Sequence, residues 1–326
     1  MWSENRPEWV VAFWGCILTG IIVVPIDYRT FSRFLRRVRE ITDARLLLIG
    51  DEVLMPIGEP LPSVWLLAEL EWPEEKRALP SVPLEANDIA EIVFTSGATG
   101  EPKGIIITHR NILANIVSPE QIIAKYAKWF RPVFPIRFLV LIPLSHILGQ
   151  VLALFVAPLI PGTVVFMRGY SPHEILRQIR RRRASVVDTV PKILDILRAY
   201  ILRQLPEATA PQAMARRLWT LRWWKYRRTH ALFGWKFWAF VVGAAPLTKE
   251  VELFWAGLGF DVIQGYGLTE TAPIITFNNP FDTREGTVGN PCHSQTATIA
   301  KRSTPESVKS PRIGHVSASI LGITVR

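Results

Sequence analysis

The chain is poor in the residues that hold small secreted proteins and metal centres together. It has only two cysteines, Cys16 and Cys292, in 326 residues, with no CxxC spacing, which excludes a disulfide framework and points to a reducing, cytoplasmic compartment. Its six histidines are scattered, so no cluster of His and Cys with metal-ligand spacing is visible. Charged residues make up only 20% against 49% hydrophobic, which excludes a disordered chain and fits a globular one of about two domains or subdomains. Internal repeats are absent too. The one long apolar run, Val10 to Ile26, is at the short end of what spans a bilayer. It is preceded by Glu4 and Glu8 and broken by Gly20 and Pro25, so a buried helix over Pro7 to Leu18 and a strand over Ile21 to Val24 are expected instead.

Acidic residues are also short, 28 against 38 Lys and Arg, for a net charge of +10. The excess concentrates in Arg177 to Arg183 (RQIRRRR) and in Arg216 to Arg228, where Trp219, Trp223, Trp224 and Tyr226 interleave with basic residues. A solvated helix face, an anionic membrane surface and a nucleic-acid backbone all fit such a stretch. No nucleic-acid fold signature accompanies it, and nucleic acid is not expected as a partner.

The most informative stretch present is TSGATGEPKG, Thr95 to Gly104. Glycines let backbone N–H groups turn toward an anion, hydroxyls of Thr95, Ser96 and Thr99 add donors, and Lys103 supplies a point charge. The spacing is not that of a Walker A loop, and Lys103-Gly104 leads into the β-branched run Ile105-Ile106-Ile107-Thr108, which reads as a strand. The loop therefore joins two strands, with Thr108 capping a helix from His109 to Val117, although an ordinary glycine-rich hairpin would look similar.

Elsewhere a β/α alternation is readable: helix Phe31 to Thr42 with Phe31, Phe34, Leu35, Val38 and Ile41 on one face, strand Ala44 to Ile49, and a wandering surface segment Asp51 to Asn87. Glu120 to Arg137 is irregular or partly helical. Further strands are expected over Phe138 to Ile142, Thr163 to Met167, Ser185 to Val190, Trp238 to Val242 and Asp261 to Gln264. Helices are expected over Gly149 to Phe155, Pro172 to Arg183 and Thr248 to Leu258, the last with Thr248 as a cap. Short segments of small or functional residues follow three of these strands, as at a ligand site on the carboxyl edge of a sheet.

Taken together, TSGATGEPKG at 95 to 104, PLSHILG at 143 to 149, GAAPL at 243 to 247 and QGYGLTE at 264 to 270 resemble, in order and interval, the adenylate-forming superfamily of acyl-CoA synthetases, luciferases and peptide-synthetase adenylation domains. Within it, the chain is most similar to long-chain fatty acid–CoA ligases. The resemblance runs from about residue 4 to Pro291 and implies an α/β fold, a large N-terminal adenylate-forming domain of stacked, mainly parallel sheets flanked by helices. It implies ATP, Mg2+ and CoA as cofactors and a fatty acid as substrate. The 95 to 104 loop, Thr95, Ser96, Gly97, Ala98, Thr99, Gly100 and Lys103, would hold the pyrophosphoryl portion. Tyr266, between Gln264, Gly265 and Gly267, would stack on adenine, and Gly243, Ala244 and Ala245 would let nucleotide and acyl chain approach the backbone. Thr269 would bind the α-phosphate and Glu270 the metal, while His146 would stand beside an acyl tunnel, where a strand-end histidine with no ligand is the bland reading. Apolar material around Phe134, Phe138, Leu139 and Leu148 suits a fatty tail.

The family's ribose-binding aspartate, hinge and lid lysine are not identifiable. Residues 1–291 are expected to form an incomplete adenylation domain and 292–326 a divergent, poorly packed tail, the mark of a truncated or frame-disrupted member with weak ATP binding and little acyl-CoA formation. A non-catalytic nucleotide or acyl binding remnant and a basic membrane-surface protein are the competing readings.

Overall fold

A computed structural model describes residues 1–54, 63–70, 81–96, 102–130, 134–209, 224–280, 283, 285–292, 297–299 and 323–325. Among the described residues, fifteen strands follow in chain order: β1 (Trp2–Ser3), β2 (Ile26–Asp27), β3 (Leu46–Ile49), β4 (Ser63–Leu66), β5 (Ile89–Ser96), β6 (Pro102–Thr108), β7 (Ile136–Val140), β8 (Gly162–Phe166), β9 (Val186–Thr189), β10 (Ala239–Val242), β11 (Asp261–Gly267), β12 (Ile274–Phe277), β13 (Asn290–Pro291), β14 (Ala297–Ile299) and β15 (Ile323–Val325). The largest sheet has the order β13-β12-β11-β10-β9-β7-β8. Its members β8, β7, β9, β10 and β11 are parallel, and β12 and β13 continue it antiparallel. A second sheet, β2-β1-β3-β4, is parallel throughout. β5 and β6 form an antiparallel hairpin, as do β14 and β15.

The parallel strands are short apolar runs because both faces of the large sheet are covered. One face packs on helices Pro172–Arg182, Pro191–Gln204, Arg227–Phe233 and Lys249–Leu258 through Ile175, Leu194, Phe233, Phe240 and Trp255. On the other face a second core joins Phe138, Val140 and Val186 to the hairpin (Val93, Ile107) and to Trp9 and Phe13 of the first helix, Pro7–Leu18. Trp9 and Phe13, one helical turn apart, stack at 5.3 Å. Helix Ser32–Thr42 covers the four-stranded sheet with Leu35 and Val38.

Several expectations are corrected. The strand expected at Ile21 to Val24 is reduced to an isolated bridge, Val23 to Glu91, with β2 following. Phe31 and Ile41 are exposed, so the inner face of that helix is narrower than its apolar pattern. The surface segment 51–87 contains β4, and residues 55–62 and 71–80 lie outside the description. The helix after Thr108 runs through Pro119 to Phe130, because tertiary packing overrides a proline that would end an isolated helix. Helix Ile147–Gln150 passes into a wider π-helical turn, Val151–Val156. Thr248 stands at a helix start but makes no side-chain cap.

Thr108 does cap its helix. The Asn111 N–H donates to Thr108 Oγ1 (3.2 Å) and the Thr108 N–H donates to Asn111 Oδ1 (3.0 Å), so each side chain satisfies the other's backbone. Thr108→Ala is expected to cost about 1 kcal/mol in urea unfolding.

Candidate active site

One cavity of about 830 Å³ runs along the hairpin-facing side of the large sheet. At the carboxyl ends of the strands its wall is polar: Thr95 from β5, His146 after β7, Thr189 at the end of β9, Ala244 after β10, and Gly265, Tyr266, Gly267, Thr269 and Glu270 on and after β11. Toward the other end it is apolar. Phe138, Val186, Val241 and Ile263 form its floor, with Ile122 and Val151 from helices above. The cavity reaches Ile136, Ile160 and Trp238, at the opposite, amino ends of β7, β8 and β10. Because residues two apart share a face, Val186 lines this wall while Val187 belongs to the core on the far side.

The mouth collects Thr95, His146, Ala244, Gly265, Tyr266, Gly267, Thr269 and Glu270 from segments separated by up to 175 positions in sequence. Lys103 is exposed and outside the wall, but it pairs in register with Thr95 and so stands on the same face of the hairpin. Strand β6 also touches the turn Thr269–Thr271. Ser96 pairs with Pro102 at the hairpin tip. Gly97, Ala98, Thr99 and Gly100 lie outside the described residues, as do 210–223 of the tryptophan-rich stretch.

Gly243 and Ala245 flank Ala244 without entering the wall. A Cβ at Gly243 would meet Leu148 Cδ2 at 2.7 Å, so this glycine accommodates a neighbouring side chain. Gln264 turns its side chain to the other face of β11, where it hydrogen-bonds Glu252. Ile263 and Gly265, its neighbours, face the cavity. Strand alternation also removes Leu139 from the expected apolar group, since it packs in the opposite core. Phe138 and Leu148 line the cavity; Phe134 does not. The expected strand Asp261 to Gln264 continues to Gly267, so Tyr266 is a strand residue opposite Thr276.

Sequence reading missed Arg29, Tyr170, Thr189 and Lys192, all in the wall. Thr189 and Lys192 could have been found by asking which residues lie within three positions of a parallel strand's end. Arg29 binds Asp27 (2.7 Å) and lies 5.9 Å from the Tyr170 ring. Burial raises the Asp27 carboxyl, but the Arg29 hydrogen bonds outweigh it and hold its pKa below the usual range. His146 approaches Asp27 at 4.0 Å with a side chain 61% exposed. Crowding in the concave mouth nevertheless pushes its pKa down, assisted by Arg29 and opposed by Asp27, which favours the neutral imidazole. Thr189 Oγ1 is buried without a protein hydrogen-bond partner, a donor available to whatever enters.

The donor set also bears on the expected metal. Among the described residues no group of three or more His, Cys, Asp or Glu converges. Glu270, exposed on the mouth beside Thr269, supplies a single carboxylate. That fits Mg2+ carried by a polyphosphate, which takes one or two carboxylates and keeps phosphate and water oxygens. No described helix is long and apolar enough to cross a membrane.

Comparison with known proteins agrees with this arrangement. The family described as AMP-binding enzyme matches residues 1–318. The chain is 26% identical to long chain acyl-CoA synthetase 8 of Arabidopsis thaliana, over 89% of this chain and 48% of that protein. It is likewise 26% identical to a crotonobetaine/carnitine–CoA ligase of Citrobacter koseri, over 88% of this chain and 53% of that protein. The chain thus spans about half the length of these curated relatives. Among solved structures, a malonyl-CoA ligase with methylmalonyl-CoA and AMP bound superposes with a TM-score of 0.70 at 22% identity, covering 100% of this chain and 61% of that one. The o-succinylbenzoate CoA synthetase of Bacillus subtilis in complex with its acyl-adenylate intermediate gives 0.66 at 22%, covering 92% and 69%. These likenesses establish the fold of the amino-terminal adenylate-forming domain, and with a family match spanning nearly the whole sequence, the chain belongs to the AMP-binding enzyme family.

Proposed function

We propose that this chain forms the nucleotide and acyl binding part of an ATP-dependent acid–thiol ligase that activates a fatty carboxylic acid. The observation that carries this is the continuity of one cavity from a polar mouth bearing Thr95, Tyr266, Thr269 and Glu270 to an apolar interior between Phe138 and Trp238. A substrate with an ionic head and a long apolar tail matches both ends at once. The strand from the mouth at Ala244 back to Trp238 spans ~20 Å at the usual rise per residue, enough for a long acyl chain.

In this reading the acid's carboxylate oxygen attacks the α-phosphorus of ATP, the bond to the bridging oxygen breaks, and pyrophosphate departs. A thiolate, that of CoA, then attacks the acyl carbon and AMP leaves. Lys103 and the 95–100 backbone would neutralise charge on the departing pyrophosphate, Thr269 would donate to the α-phosphate, and the Tyr266 ring would cover the adenine. Neutral His146 and the Thr189 hydroxyl would orient the carboxylate at the mouth. Glu270 with Thr269 would hold Mg2+, which supplies Lewis-acid charge to the phosphates when bound.

ATP–pyrophosphate exchange, run with saturated acids of increasing chain length, tests the proposal. Exchange that depends on a long-chain acid supports it. ATP binding without exchange would reduce it to a binding module, and no ATP binding would sink it. Val186 is in register with Ala239, one residue from Trp238, and lines the deep end of the cavity floor, so Val186→Phe should fill that end. We expect exchange with long acids to fall ~100-fold while short acids stay within a factor of a few, because the larger ring removes the space the tail must occupy.

A further inference from the structure

We propose that the amino-terminal edge of the large sheet is a docking surface for anionic lipid bilayers. The sequence shows two separate basic segments, and folding brings them together. Helix Pro172–Arg182 packs on helix Arg227–Phe233, and a methyl group at Gly234 would stand 3.6 Å from the Arg180 Cα. Arg177 and the run Arg180 to Arg183 are exposed on the first, and Lys225, Arg227 and Arg228 on or beside the second. Glu174 is the only carboxylate within the two helices, and it is engaged by Arg177 at 2.7 Å. The Arg137 guanidinium donates to the Arg182 carbonyl (2.7 Å), adding another cation from the start of β7.

The same surface carries large exposed aromatics. Trp224 is 72% exposed and Trp235 60%, and the Arg227 guanidinium lies 5.3 Å from the Trp224 ring. Exposed tryptophans bordered by arginines match the interface of an anionic bilayer, where the ring sits among head groups and the cations meet lipid phosphates.

Position decides between lipid and nucleic acid. Arg182 and Arg183 lead toward β9, Trp235 toward β10, and Arg137 lies in β7. The carboxyl ends of the two helices thus bring the patch to the edge where the cavity reaches Ile136, Ile160 and Trp238, while the helices themselves cover the opposite face of the sheet. An apolar channel end beside a basic, tryptophan-bearing surface suits a molecule that leaves its tail in hydrocarbon; a nucleic-acid backbone gains nothing from it. Docking stands on the patch alone. Delivery of an acyl tail from the bilayer into the deep end of the cavity additionally rests on the fatty acid reading above.

The test is flotation of the full chain with vesicles of phosphatidylcholine, alone or with added phosphatidylglycerol, and with no fatty acid present. Failure here is therefore distinguishable from failure of pyrophosphate exchange. The protein is expected to float only with the anionic vesicles and to release as salt rises. Arg181→Ala/Arg182→Ala/Arg227→Ala should weaken partitioning ~100-fold, at roughly 5-fold per arginine near such a surface. Trp224→Ala should weaken it ~10-fold, and neither variant should shift the urea midpoint. The salt titration of the unmodified protein needs no variant. Recovery of the unmodified protein in the soluble fraction, equal flotation of the triple variant, or preferential binding of a single-stranded oligonucleotide that displaces the vesicles would each overturn the proposal.

Discussion

Gly267→Ala is expected to destabilise the protein by about 3 kcal/mol or more and to abolish nucleotide binding at the mouth. A Cβ at this position would stand 1.4 Å from the Pro273 carbonyl oxygen and 2.6 Å from its carbon. Both are backbone atoms, so no rotamer change relieves the overlap, and β11 must move from β12. Gly267 is in register with Ile274, and the pairing slips between Tyr266 and Gly267, which places the displacement directly under the Tyr266 ring and the Thr269 turn. Gly265→Ala is the control. There the added Cβ would meet its nearest atoms, Thr276 O and Phe277 Cβ, at 3.6 and 3.7 Å, ordinary contact distances, so its cost should stay under about 1 kcal/mol. Urea midpoints and titration with AMP, followed for both variants, settle the point. If Gly267→Ala unfolds and binds AMP as the parent does, the close approach of β11 to Pro273 is wrong.

Glu91→Gln should stabilise the protein at pH 8 by about 1–3 kcal/mol and flatten its loss of stability with rising pH. Glu91 is fully buried on β5, and its Oε2 accepts from Gln150 Nε2 at 3.1 Å. The remaining oxygens, Glu91 Oε1 and Gln150 Oε1, are buried without partners. Burial, only partly opposed by the Gln150 hydrogen bond, pushes the carboxyl from 4.5 up to about 7. The native state therefore holds a proton that the unfolded chain releases near its ordinary value. Between those values the native state binds more protons, so stability falls as pH rises, and the favourable contribution is complete only below about 4.3. The full swing is about 3 kcal/mol, one factor of 1.36 per unit. In the variant the introduced amide can donate to Gln150 Oε1 while its oxygen still accepts from Gln150 Nε2, and no charge is ever buried. Urea unfolding of both proteins at pH 4.5, 6 and 8 checks this; parallel curves would show that Glu91 does not titrate in the native state.

The same two positions show where sequence reading stops. The Gly265-Tyr266-Gly267 motif is legible, but the reason for its second glycine is the Pro273 carbonyl, which another segment of chain supplies. Glu91 reads as an unremarkable polar residue in a strand. Its burial comes from Gln150, 59 positions away, and from the hairpin closing over the first helix. Helix Pro7–Leu18 is readable to the residue because proline starts it and its apolar content is continuous. Local pattern ends the helix from His109 before Pro119; beyond that proline Ile122 and Ile123 pack into the cavity wall, contacts that the neighbouring residues do not announce. The family resemblance places Gln264 at the cavity and the apolar grouping places Leu139 there, whereas strand parity sends each to the opposite face. Arg29 and Lys192 carry no motif. They matter because β2 and β9 end at the same edge of neighbouring sheets, which no local pattern announces.

Family membership, the order of strands and helices, and the motif-bearing residues of the mouth such as Thr95, Tyr266 and Thr269 are local properties, written in glycine spacing, β-branched runs and short motifs that neighbouring residues spell by themselves. The cavity itself is not. Its floor is set by which face each strand presents, and its depth by helices drawn from distant parts of the chain. Its proximity to the basic tryptophan surface follows from two helices that meet only when the apolar stripe of each finds the same sheet. Burial of apolar area rewards that meeting without regard to distance along the chain, and for that reason the placement belongs to the packed structure alone.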